Sequence, residues 1–170
     1  MVTERFPMTI GGEEVLTEHL LLHNYESGEM MDSPESVRFL VIHCSATKAS
    51  RNYTAKQLIR DHKARGMRTG GYHFYFRKDG TQVQFRKLLE VGAHARPYNR
   101  CSIGICYEGG LDDEGRPMDT LTRAQYDAMR SLLIKLKVMF PKAKIVGHCD
   151  LPGTTPKACP CFDAAAKFNL

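Results

Sequence analysis

The chain has 170 residues, 42% of them hydrophobic and 25% charged, a size and balance that bury one ordinary core without disulfide staples. It contains no apolar run of about 18 residues, and its start, Met1-Val2-Thr3-Glu4-Arg5-Phe6-Pro7, lacks the apolar stretch of a signal peptide. We therefore expect no membrane span, synthesis in the cytoplasm, and six cysteines held as reduced thiols. A formal net charge of +5 favours an anionic partner, either nucleic acid or bacterial cell wall; no RNP motif, Cys-x-x-Cys finger or long basic run points to sequence-specific nucleic-acid binding.

Residues 1–36 read as an extension that packs on the body through a short strand or helix, with one apolar patch at Leu20-Leu21-Leu22. A regular pattern begins at residue 37. Val37 to Cys44 is an apolar run of buried-strand length that ends in a polar Ser45-Ala46-Thr47 turn. Thr54 is a good N-cap for a helix over 55–65, where Leu58, Ile59, His62 and Arg65 recur at helical spacing and Gly66 supplies the stop. His62 reads as a structural residue on that helix face.

Residues 72–77 alternate like a strand, and Lys78-Asp79-Gly80-Thr81 is a hairpin turn into Gln82-Val83-Gln84-Phe85. After the Gly92-Ala93-His94-Ala95 loop, residues 102–107 form another buried strand, followed by a polar turn at Asp112-Asp113-Glu114-Gly115. Thr122 caps an amphipathic helix to about Met139 with Tyr126, Met129, Leu132, Leu133 and Leu136 on its apolar face, and Pro141 closes it. Residues 143–148 are a last strand ending at His148. The order β-α-β-β-β-α-β-α predicts an α/β single domain, a mixed central β-sheet with helices packed on it.

His43 and His148 each end a strand, so both can lie on one rim of the sheet, where open α/β sheets commonly place their sites. Cys159 follows across a Pro/Gly/Thr-rich loop able to fold back over that rim. Two imidazoles and a thiolate make a three-ligand zinc site with the fourth tetrahedral position open, the arrangement of a catalytic rather than a structural zinc. Against this, a histidine at a strand end is often only hydrogen-bonded, and a cysteine is often a small buried hydrophobe. Cys161 competes with Cys159 for the ligand role. Side-chain alternation places Cys44 and Cys149 on the opposite face from the two histidines, as core residues. The odd separation of Cys101 and Cys106 points them to opposite faces.

The blocks Ile42-His43-Cys44-Ser45-Ala46-Thr47, Gly71-Tyr72-His73-Phe74, Gly92-Ala93-His94-Ala95, Asn99 with Ser102-Ile103-Gly104-Ile105, Gly147-His148 and Lys157-Ala158-Cys159-Pro160 occur in an order that resembles type 2 N-acetylmuramoyl-L-alanine amidases. That family includes phage endolysins of the coliphage T-seven lysozyme kind and the animal peptidoglycan recognition proteins. The likeness covers roughly residues 37–165 and is nearer the phage branch, because Lys157 resembles that branch's catalytic lysine. It implies one Zn2+ held by His43, His148 and Cys159, catalytic help from Tyr72 and Lys157, and cleavage of the amide between N-acetylmuramic acid and L-alanine in bacterial peptidoglycan.

A phage or prophage endolysin is the reading this favours; a peptidoglycan-binding module without catalysis and a metal-free Cys–His hydrolase are the alternatives. His94 and Asn99, in a Gly-rich loop and at a strand entry, suit a groove that binds sugar or peptide, or a turn-stabilising role. The resemblance also implies RNA polymerase as a regulatory partner. Where the family commonly has a small residue, this chain has Cys161.

Overall fold

In chain order the elements are β1 (Thr9–Ile10), β2 (Glu13–Glu14), β3 (Phe39–Cys44), β4 (Thr47–Lys48), α1 (Ala55–Ala64), β5 (Phe74–Phe76), β6 (Gln82–Gln84), β7 (Ser102–Tyr107), β8 (Gly110–Leu111), α2 (Arg123–Met139), β9 (Lys144–Gly147) and α3 (Ala164–Lys167). They come from a computed structural model that describes residues 9–10, 13–14, 28–154 and 158–170. The central sheet has the order β6-β5-β7-β3-β9. β3 runs parallel to both β7 and β9, β5 is parallel to β7, and only the β5–β6 hairpin is antiparallel, so the sheet is mixed as expected. The short β4 and β8 pair in parallel beyond the main sheet, and β1 pairs with β2 antiparallel.

Strand alternation sorts the core into two layers. Leu40, Ile42 and Cys44 of β3 share one face with Phe74, Phe76, Ile103, Ile105 and Tyr107, and this face is covered by Met129, Leu132, Leu133 and Leu136 of α2 with Phe168 after α3. Each such side chain is fully or almost fully buried, a contribution of about 1.5–3 kcal/mol apiece. On the other face Tyr75 and Cys106 pack against Leu58 of α1 and against Tyr53, which precedes that helix. The intervening residue His43 therefore points to the α1 side, at the C-terminal rim of β3.

Both long helices start as the sequence predicts. Thr54 and Thr122 each accept the N–H of the residue three positions on, Gln57 and Gln125, whose side chains return the bond to the cap residue. α1 stops at Ala64, and Gly66 follows with φ +94, a left-handed turn that glycine adopts without steric cost. Gln125 also sends its amide to the carbonyls of Phe76 and Glu108, at 3.2 and 3.0 Å, tying the start of α2 to the ends of β5 and β7.

Two expectations change. The strand over 72–77 is shorter, spanning Phe74–Phe76, although the N–H of His73 still bonds Gly104 O at 2.9 Å. Cys44 is a core residue, but Cys149 is exposed: β9 ends at Gly147, and His148–Asp150 turn into a 3-10 helix, so the two-residue alternation of a strand no longer applies there.

The Leu20-Leu21-Leu22 patch lies outside the described residues. Nearer the body, Met31 donates to Leu89 O and Val91 to Glu29 O, at 2.7 and 2.8 Å, and the Met31 side chain is buried in the main core. Among the described residues no helix is long and apolar enough to cross a membrane.

Candidate metal centre

β3 and β9 lie side by side with Ile42 opposite Gly147, so the residue after each partner, His43 and His148, emerges at the same rim. Their ring centroids are 4.8 Å apart. Cys159 reaches that rim through a tethered loop. Its carbonyl accepts from Cys149 N at 2.9 Å, and the next carbonyl, of Pro160, accepts the Tyr107 hydroxyl at 2.7 Å. A Cβ on Gly147 would stand 2.7 Å from Pro160 Cδ, so only a glycine there lets the loop press onto the end of β9.

Cys159 Sγ lies 3.9 Å from His43 Nδ1 and accepts a hydrogen bond from the backbone N–H of Cys44 at 3.1 Å. One ligand atom from each of His43, His148 and Cys159 lies within 4.8 Å of the others, and all three residues are buried. The 3.9 Å from His43 Nδ1 to Cys159 Sγ is close to what two metal–ligand bonds of about 2.0–2.3 Å span at a tetrahedral angle, and two imidazoles with one thiolate are a donor set that suits zinc. The three groups fit one ion with a side open to solvent, because they line a cleft of about 410 Å³.

Tyr72 stands beside the cluster, half-buried, its ring 5.0 Å from that of His43. Burial, then the neighbouring cysteine thiols, push its hydroxyl well above the usual phenol range, so it keeps its proton at neutral pH. His62 lies on the other side of Tyr72, with ring centroids 5.5 Å apart. It accepts the Gly71 N–H at Nδ1, 2.8 Å away, and burial lowers it to about 4, so it is neutral. The structural reading of His62 holds, but the residue also lines the cleft with Asp61 and Arg65 of the same helix face. Asp61 went unread in the sequence and Arg65 was read only for its helical spacing; the signal was present, since positions 58, 61, 62 and 65 share one face of a helix.

His94 lines the cleft too, and its Nδ1 lies 2.8 Å from His43 Nε2. Asn99 uses its side-chain oxygen to accept the N–H groups of His94 and Ala95, at 2.9 and 2.8 Å, which is a turn-stabilising role. Cys161 is not brought to the cluster. It sits at φ +75 and turns its thiol to Gly110 O, 3.4 Å away, and burial pushes that thiol up to about 12. Lys157 lies outside the described residues.

A family model described as N-acetylmuramoyl-L-alanine amidase matches residues 33–162. The endolysin of Klebsiella phage KP32 is 43% identical over 124 residues, covering 73% of this chain and 80% of that protein. The endolysin of Escherichia phage T7 is 41% identical over 129 residues, covering 76% and 83%. Among solved structures, the N-acetylmuramoyl-L-alanine amidase LysC from Clostridium intestinale URNW superimposes with a TM-score of 0.68 at 27% identity, over 86% of this chain and 95% of that one. Drosophila PGRP-LB shares the fold at a TM-score of 0.61 and 24% identity, over 79% and 78%.

Proposed function

Because this chain belongs to the N-acetylmuramoyl-L-alanine amidase family, we propose that it is a zinc-dependent endolysin that cuts the amide between N-acetylmuramic acid and L-alanine in bacterial peptidoglycan. The observation that carries this reading is the convergence of His43, His148 and Cys159 on the floor of an open cleft. An amide is a weak electrophile with a poor leaving group, so its hydrolysis requires a strong nucleophile, stabilisation of charge on the carbonyl oxygen and a proton for the amine. His43, His148 and Cys159 would hold a zinc ion, which would supply a lowered pKa for water, from about 15.7 towards about 7, and Lewis-acid polarisation of the carbonyl.

The remaining needs fall to side chains. Tyr72, protonated and adjacent to His43, orients the attacking water by hydrogen bonding or passes a proton to the leaving amine. The Lys157 ammonium stabilises the oxyanion, a kind of interaction worth about 2.7–4 kcal/mol in other enzymes. His94, which lines the cleft, contributes to wall binding, and Asn99 supports it by holding the His94 loop. Residues 37–170 form the amidase domain and residues 1–36 an extension, of which Met31 is buried in the main core; the family match begins at residue 33. Contact with an RNA polymerase is a separate property, to be tested by co-purification.

The experiment is to digest purified peptidoglycan and quantify newly exposed N-terminal L-alanine alongside the metal content of the protein. Release that follows zinc occupancy supports the reading. Wall binding without release reduces the protein to a binding module, and full lytic activity in metal-free protein makes Cys159 a nucleophile instead.

A further inference from the structure

We propose that His94 is a positioning residue for the metal ligand His43: it fixes the His43 tautomer and ring orientation so that Nδ1, carrying no hydrogen, is turned towards Cys159 Sγ. This duty rests on the zinc reading above and is separate from the wall contact suggested there for His94.

The argument starts at a carbonyl, which can only accept. Ser102 Oγ lies 2.7 Å from Tyr98 O, so the serine hydroxyl spends its one hydrogen on that oxygen. Towards His94 Nε2, 3.3 Å away, Ser102 then has only lone pairs to offer, and His94 must carry its hydrogen on Nε2. A neutral imidazole protonated on Nε2 is bare on Nδ1. That nitrogen faces His43 Nε2 at 2.8 Å, so His43 is the donor of this bond and holds its hydrogen on Nε2. His43 Nδ1 is then the acceptor nitrogen of the ring, and it is the one 3.9 Å from Cys159 Sγ. The polarity of the whole chain is thus imposed from the Tyr98 carbonyl, and its last step presents the nitrogen a metal ion needs.

The position of the His94 ring is as constrained as its protons. A Cβ on Gly104 would lie 2.7 Å from His94 Cγ, and one on Gly92 would lie 2.7 Å from Cδ2, so the ring occupies a slot that exists because both residues are glycine. The backbone of the His94 loop is held by the two bonds to Asn99 Oδ1. The His43 and His94 rings meet edge to face, with centroids 4.9 Å apart at 85°. Loss of such an outer partner typically lowers metal affinity about 10–100-fold.

The test is zinc affinity by competition with a chromophoric chelator, on the full chain and two variants. His94→Phe keeps a ring in the slot but has no acceptor; His94→Asn places Oδ1 where Nδ1 was. We expect about 10–100-fold weaker zinc binding in His94→Phe and near-parental binding in His94→Asn. Parental zinc affinity in His94→Phe with only a raised KM overturns the inference and leaves His94 as a wall-binding group. Histidine nitrogen NMR of the zinc-loaded parent is the second measurement, independent of how the variants fold: hydrogen on His94 Nε2 supports the inference and hydrogen on Nδ1 overturns it. A parent protein that neither binds zinc nor cleaves removes the functional reading itself, an outcome distinct from a zinc-binding, active parent whose affinity is indifferent to position 94.

Discussion

The backbone N–H of Cys44 points at the sulfur of Cys159 from 3.1 Å, joining positions 115 residues apart. The last residues of β3 thus serve the site twice: His43 offers an imidazole, and the next peptide group donates to the thiol that completes the cluster. The N–H aimed at the sulfur fixes where Cys159 Sγ stands relative to the His43 ring.

This relationship separates the two neighbouring thiols. Cys159→Ser is expected to lose zinc and activity, because a hydroxyl is a poor zinc ligand. Cys161→Ser should keep both, since its sulfur faces Gly110 O. Metal content of the purified variants checks this, with about one zinc per chain in the parent. Zinc-free Cys161→Ser together with zinc-replete Cys159→Ser would reverse the ligand assignment. In the parent, a chelator should abolish lysis and added zinc restore it.

Tyr72→Phe and Lys157→Ala are expected to retain zinc and bind peptidoglycan while turning over at least about a hundredfold more slowly, as for groups that act mainly in the transition state. Steady-state kinetics on a soluble muropeptide would separate kcat from KM. Parental kcat in either variant removes that residue from the chemistry.

Acid should destabilise the metal-free protein through His62 and His73. Burial lowers His62 to about 4 and His73 to about 3, against about 6.5 for an unperturbed histidine. Both are therefore neutral in the folded protein at pH values where the unfolded chain already binds a proton at each. Their contribution is fully present above about pH 6.5 and is lost as pH falls towards the folded values, with a slope approaching about 1.4 kcal/mol per pH unit for each. His62→Asn, which keeps an acceptor for Gly71 N–H, should show a shallower decline of chemical-denaturation stability between about pH 6 and 4. An unchanged slope would mean that His62 is protonated in the fold.

The N-terminal extension can be divided by two truncations. A chain starting at Asp32 lacks buried Met31 and the two backbone bonds to Leu89 and Val91. It should still bind zinc and cleave, but the lost burial of about 1.5–3 kcal/mol should lower its melting point by several degrees relative to a chain starting at Gly28. Equal melting points for the two chains with lost wall binding in the shorter would make the removed segment a substrate-binding element.

Much of this protein can be read in one dimension. The capping pairs Thr54 with Gln57 and Thr122 with Gln125, the apolar runs ending at His43 and His148, and the hairpin at Lys78-Asp79-Gly80 are local patterns, and each produced its element. Periodicities of two and 3.6 residues report backbone geometry over a few positions, so they locate strands and helices without reference to the rest of the chain. They fail where geometry changes within the pattern, as when Cys149 leaves the strand rhythm for a 3-10 turn and becomes exposed. Spacing alone likewise did not say which of Cys159 and Cys161 stands beside the two histidines. That depends on a left-handed φ at Cys161 and on the Cys44 N–H arriving from a distant strand. The pairing of His43 with His94, 51 positions apart, depends on missing side chains at Gly92 and Gly104 and on a hydrogen-bond polarity set by one carbonyl. Excluded volume and donor direction between distant segments act only after those segments have packed, and that is why the tertiary structure alone decided them.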